Sequence, residues 1–178
     1  MASPDLEQCA VSQRTVRSVA TPATQALRRA GASWREHFYE YVDHGGTAEA
    51  ARQLGIEEAR IVKTLVMRAD GGTDLIILMH GDCSVSTRNL ARSIGAKSVS
   101  PCTPEQAQRA TGYLVGGISP FGTRKRLPVY VERSILQLPS LLVNGGRRGY
   151  LLEIEPALLA RELQATAVDC ALRERATG

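Results

Sequence analysis

The chain has 178 residues, 43% of them hydrophobic and 22% charged, which suits one globular domain with a core of its own and excludes a disulfide-stapled miniprotein or a disordered tail. Its longest apolar run, residues 75–79, is far too short to cross a bilayer as a helix. The net charge of +4 permits a polyanionic partner without demanding one.

In chain order, residues 1–20 show no periodicity and read as a flexible tail, leaving a single domain over 21–170. Thr21 and Pro22 supply an N-cap and a first helical position, and Gly31 stops that helix. His37 to Val42 reads as a strand. Thr47 then caps a short helix to Leu54, closed by Gly55. Arg60 to Met67 is rich in β-branched residues, Asp70-Gly71-Gly72 signals a hairpin, and Leu75–Met79 returns. Ser86 caps a helix to Ile94, and Thr103-Pro104-Glu105-Gln106 opens another with capping-box spacing, closed by Gly112. Strands follow near 128–131, 141–143 and 150–154. Pro156 starts a last helix to about Ala165, after which the chain is expected to fray. Strands joined by tight turns argue for an α+β fold with a mixed, mostly antiparallel sheet.

Lys63 is the most informative residue. Ile61, Lys63, Leu65 and Met67 share one face of their strand, and Val62, Thr64 and Val66 share the other. With both faces apolar the strand is central, and a buried ammonium needs a partner, a lowered pKa or a ligand. A lysine snorkelling from a strand end satisfies the same pattern. Residues 111–122 hold four glycines and a proline, too many for a regular element. Such a segment brings backbone N–H groups close to a ligand, although a wide structural loop has the same composition. Two basic clusters flank glycine turns: Arg124 and Lys125 after this segment, then Arg147 and Arg148 after Asn144-Gly145-Gly146. Either could hold a phosphate backbone or form a solvated face.

Other chemistries lack their residues. His37, His44 and His80 do not have metal-ligand spacing, so no metal and no cofactor are expected. Ser119 lacks a G-x-S-x-G elbow. Cys9, Cys83, Cys102 and Cys170 form no C-x-x-C pair and no secretory h-region precedes them, which reads as reduced thiols in a cytoplasmic protein.

The ordered motifs Val62-Lys63-Thr64-Leu65, Thr111-Gly112-Tyr113 with Gly116-Gly117-Ile118-Ser119-Pro120-Phe121-Gly122, and Gly145-Gly146-Arg147-Arg148-Gly149 resemble the YbaK/EbsC group of prolyl-tRNA-synthetase-associated editing domains over about residues 21–168. The resemblance implies a partly barrel-like sheet surrounded by helices. It implies release of misattached amino acids from tRNA, as in Cys-tRNA(Pro) or Ala/Ser/Thr-mischarged tRNAs. Lys63 matches the family's essential lysine, implied to hold the terminal phosphate, with Gly116, Gly117 and Ser119 in the loop beside the aminoacyl group. Thr64, Thr111, Gly112, Tyr113, Ile118, Asn144, Gly145 and Gly146 are then expected to bind substrate. Arg124, Lys125, Arg147 and Arg148 would meet the tRNA acceptor end, and a prolyl-tRNA synthetase is a candidate partner. Two departures bear on selectivity. Asn144 stands where many relatives carry Ser, and Leu151, in a stretch often more polar, cannot supply a carboxylate. A non-catalytic module binding tRNA or a synthetase, and a small-molecule binder, are the alternatives; a pure scaffold has no need of a core lysine, and a small-molecule binder would show binding without tRNA dependence.

Overall fold

A computed structural model describes residues 19–173. The tail expected over 1–20 therefore lies outside the described residues except for its last two, of which Val19 packs against the core. Helix α1 (Pro22–Arg29) begins at a reciprocal cap: Thr21 Oγ1 accepts from Thr24 N and the Thr24 hydroxyl accepts from Thr21 N. Strand β1 is Arg35–Phe38, not 37–42. Its ladder ends because Tyr39 N donates to Gly149 O, after which residues 39–44 leave the sheet. Helix α2 is Gly46–Leu54 and its N-cap is Gly45 rather than Thr47. The Thr47 hydroxyl is turned instead to Glu58 Oε1, 2.7 Å away.

The rest of the chain gives β2 (Val62–Ala69), β3 (Asp74–His80), β4 (Cys83–Val85), α3 (Thr87–Ile94), β5 (Val99–Pro101) and α4 (Pro104–Thr111). They are followed by β6 (Val129–Glu132), β7 (Leu141–Asn144), β8 (Tyr150–Ile154), α5 (Pro156–Leu163), β9 (Thr166–Val168) and β10 (Ala171–Arg173). The last two strands occupy the stretch expected to fray. What orders them is distant in sequence. β9 pairs in parallel with β6, β10 pairs antiparallel with β4, and the buried Glu132 carboxylate accepts from the amides of Cys170 and Ala171 at 2.8 and 2.9 Å.

The result is one α+β domain. A five-stranded sheet runs β5-β2-β3-β6-β9, antiparallel at β5-β2-β3 and parallel beyond. An antiparallel three-stranded sheet runs β1-β8-β7, and β4 with β10 makes a short ribbon. A parallel bridge, Ile61 to Leu142, couples the three-stranded sheet to the start of β2. Leu27 of α1 and Leu158 and Leu159 of α5 bury against Val131, Val143 and Leu152, forming the main core. Leu90 and Ala91 of α3 cover Leu75, Ile77 and Met79 on the other face. Outside these cores Glu153 gathers Arg60, Ser140 and His37 within 2.7–2.9 Å. The Ser140 hydroxyl, with His37 and Arg60 adding to it, holds that carboxyl below the usual range against the opposing effect of burial.

One interruption matters for function. On the side away from β3, β2 pairs with β5 at residues 67–69, and Ile61, the residue before β2, bridges Leu142 of β7. Between these contacts residues 63–65 have no strand partner on that side, and a cleft opens there.

Candidate active site

The cleft encloses about 700 Å³ along β2. Its walls come from the 39–44 segment, the start of α2, the 84–87 corner, the 101–107 corner and the two glycine loops. Apolar side chains dominate: Ile61 just ahead of β2, Leu65 and Met67 from β2, Ala50 from α2, Ile118 from the first glycine loop and Leu151 from β8. A separate depression of about 610 Å³ between residues 31–35 and 153–158 holds none of the expected site residues.

Lys63 faces the cleft half-buried, so the strand is central but its lysine is not sealed in the core. No ion pair or hydrogen bond engages it among the described residues. It and Arg148 are the lysine and arginine of the lining. The lining carboxylates are at the rim. Asp43 is exposed, and Glu49 is held by Arg52 through two hydrogen bonds, its pKa lowered to about 2 by Arg52 and Gln53. An apolar cleft with one uncommitted ammonium inside suits a ligand that is largely neutral and carries one anionic group.

The expected residues divide into two sets. Lys63, Thr64, Gly116, Ile118, Asn144 and Arg148 are brought together along the cleft. The Thr64 hydroxyl oxygen is buried there without a hydrogen-bond partner among the described residues. The other set supports the loops. Thr111 Oγ1 donates to Ala107 O and accepts from Tyr113 N, and Gly112 ends α4 in a left-handed conformation. The Tyr113 hydroxyl donates to Phe121 O at 2.7 Å, and burial pushes its phenol up. Ser119 is fully buried, its hydroxyl accepting from Phe121 N. Gly145 donates to Tyr150 O and accepts from Thr21 Oγ1, and Gly146 N is bound to Asn144 Oδ1. Arg124 and Lys125 fold back on α4 through their amides, to Thr111 O and Ala110 O.

The first glycine loop contains a tight turn, Leu114 to Gly117, closed by Gly117 N to Leu114 O at 2.9 Å. Gly116 sits at its third position with φ +88°, which a type II turn requires. A Cβ there would meet Tyr41 Oη at 2.9 Å and Arg148 Nε at 3.2 Å. The two glycines therefore differ. The Gly117 N–H is committed to the turn, while the Gly116 N–H has no partner among the described residues. A free backbone donor on the same cleft as an uncommitted ammonium is an arrangement that can stabilise a developing oxyanion and hold an anionic group.

Sequence reasoning missed Tyr39 and Tyr41, which line the cleft. Burial raises the Tyr39 phenol, and the Arg148 guanidinium stacks 4.7 Å from the Tyr41 ring centroid. The signal was two tyrosines ahead of an Asp-His-Gly-Gly turn, absorbed into a strand reading. Among the described residues no group of three or more His, Cys, Asp or Glu side chains could hold a metal, and Cys83, Cys102 and Cys170 are free thiols. No helix of the described residues is long and apolar enough to cross a membrane.

Comparison with known proteins places this cleft in context. The family profile of the aminoacyl-tRNA editing domain matches residues 44–162. A protein of Enterococcus faecalis, provisionally named Cys-tRNA(Pro)/Cys-tRNA(Cys) deacylase EbsC, is 32% identical over 66% of this chain and 74% of its own length. The proline–tRNA ligase of Moorella thermoacetica is 30% identical over 68% of this chain but only 20% of the ligase. A solved structure described provisionally as a trans-editing enzyme for prolyl-tRNA synthetase superposes with a TM-score of 0.76 at 26% identity, covering 88% of this chain and 99% of that one.

Proposed function

The chain belongs to the aminoacyl-tRNA editing domain family, and from that membership we propose that it acts in trans, in the cytoplasm, as a deacylase that releases a misattached amino acid from tRNA. Cys-tRNA(Pro), or a related Ala-, Ser- or Thr-mischarged tRNA, is the proposed substrate. The observation that carries this reading is the pairing of Lys63 with the free Gly116 N–H on one apolar cleft.

An aminoacyl ester is already activated, so positioning and charge stabilisation supply most of what is needed. The Lys63 ammonium holds the phosphate of the terminal adenosine and thereby sets the ester carbonyl against the glycine turn. A water oxygen attacks the carbonyl carbon, or the substrate's own thiol does in the cysteine case. Negative charge collects on the carbonyl oxygen, where the Gly116 N–H donates. The bond to the ribose oxygen then breaks, and that oxygen leaves as the hydroxyl of the tRNA end after taking up a proton. Ser119 and Tyr113, buried and bound to the loop's own backbone, act by shaping the loop.

Deacylation of a panel of labelled tRNAs tests the reading: Cys-, Ala- and Ser-tRNA(Pro), Ser-tRNA(Thr) and correctly charged Thr-tRNA. Selective release from one mischarged member is expected. Release from none would sink the reading and favour a module that only binds tRNA or a synthetase.

Among the described residues Arg124 and Lys125 form no ion pair with a carboxylate, and their amides bond to Thr111 O and Ala110 O beside the glycine loop; they are proposed to meet the acceptor-stem phosphates. Replacing both by Ala should weaken tRNA binding and flatten the slope of log K against log salt by about 1 to 2. An unchanged slope would remove them from the interface.

A further inference from the structure

Resting on that reading, we propose that Asn144 is a positioning residue for the release step: its side chain fixes the direction in which the Gly116 N–H points. Asn144 ends β7 and stands between the two glycine loops. Its Oδ1 accepts from Gly146 N at 2.8 Å and Arg147 N at 3.1 Å, and its Nδ2 donates to Gly116 O at 3.1 Å. Two amide donors on one side and a carbonyl on the other admit only this orientation of the carboxamide. Both ends of the side chain are engaged by the two loops, so Asn144 ties one to the other.

A second grip comes from the same loop. Arg148 Nε donates to Val115 O at 3.0 Å while its guanidinium stacks on Tyr41. Two successive carbonyls of the turn, those of Val115 and Gly116, are therefore held from residues 144–148. In a trans peptide the N–H points opposite to the C=O that shares its plane. The Gly116 N–H shares its plane with the Val115 carbonyl, so gripping that carbonyl and the next one sets where the free donor aims. Gly117 packs against this clasp, since a Cβ on it would lie 3.0 Å from the backbone of Arg147 and Arg148.

The test is Asn144→Asp. It keeps an acceptor for Gly146 and Arg147 but sets a lone pair against the Gly116 carbonyl. At pH 7.5, kcat should fall about 30-fold with KM within about twofold, the pattern of a misaimed group rather than a lost binding contact. As pH falls toward 4 the new carboxyl protonates and can donate again, so the deficit relative to wild type should shrink. Asn144→Ser adds no charge but puts a single short hydroxyl where the carboxamide spans both loops, and should lose less; it also serves if the Asp variant does not fold. Hydrogen exchange at the Gly117 amide, measured without substrate, should be faster in both variants. Unchanged exchange, or a kcat matching an active wild type, would overturn the proposal alone. A wild type inert toward every aminoacyl-tRNA would overturn the deacylase reading and the proposal with it.

Discussion

Replacing Lys63 by Ala is expected to cut amino-acid release at least about a hundredfold while leaving the thermal transition nearly unmoved. The two halves of that expectation have separate physical grounds. Lys63 is half-buried and engages no carboxylate among the described residues, so its removal breaks no ion pair there and leaves no buried charge unpaired. What is lost is the lysine of the cleft lining, and with it the anchor that the proposed reaction needs to set the ester against the Gly116 N–H. Deacylation of the tRNA panel and a melting curve, run on the same preparation, read both halves. Lys63→Met separates charge from bulk, because it keeps most of the stem's packing and should be as inactive as the Ala variant. A Lys63→Ala protein that stays fully active would move the chemistry out of this cleft.

Gly149→Ala should be strongly damaging for so small a substitution, with a loss of about 2–4 kcal/mol and a melting temperature lower by about 5–15 °C. The residue has φ +74°, and an added Cβ would lie 2.5 Å from the carbonyl oxygen of Tyr39. That oxygen belongs to backbone and cannot swing aside. Its own residue donates to Gly149 O at 3.0 Å, so the contact that closes the ladder of β1 and β8 is the one that would be forced open. Tyr39 also lines the cleft, and activity should fall together with stability. Gly71→Ala is the control. It has a similar φ of +83° but open space around it, so strain alone should cost about 1–2 kcal/mol. Equal effects at the two positions would show that the approach of Tyr39 contributes nothing.

Much of the fold was legible because its signals are local. Thr21-Pro22, Ser86 and Thr103 with Gln106 act within one helical turn, and each stands in the structure where its spacing places it. Val62–Ala69 and Asp74–His80 carry enough β-branched and aliphatic residues to declare a hairpin. The three-residue strands β4, β5, β9 and β10 are too short to show a period, and the last two depend on partners more than thirty residues away. Thr47 was misread because its hydroxyl has a better distant partner in Glu58 than the local amides. At the site, Lys63 and the glycine loop stood out because a charge in an apolar strand and a run of glycines both contradict their surroundings. Tyr39 and Tyr41 did not, since two alternating tyrosines fit a strand equally well. The division of labour between Gly116 and Gly117 is decided by which amide closes a turn, and that cannot be seen before the turn is.

The Glu132 clamp bears on where this domain can be cut. The family match runs from 44 to 162, yet β1 and α1 precede that stretch and β9 and β10 follow it. Shortening the chain to the matched residues would strip β8 of its outer neighbour and expose the apolar faces that α1 covers. It would also leave a carboxylate in the interior facing no amides. The profile's borders are thus narrower than those of the folding unit: most of the cleft lining falls within 44–162, while strands and a helix that complete the sheets and cover the core fall outside it.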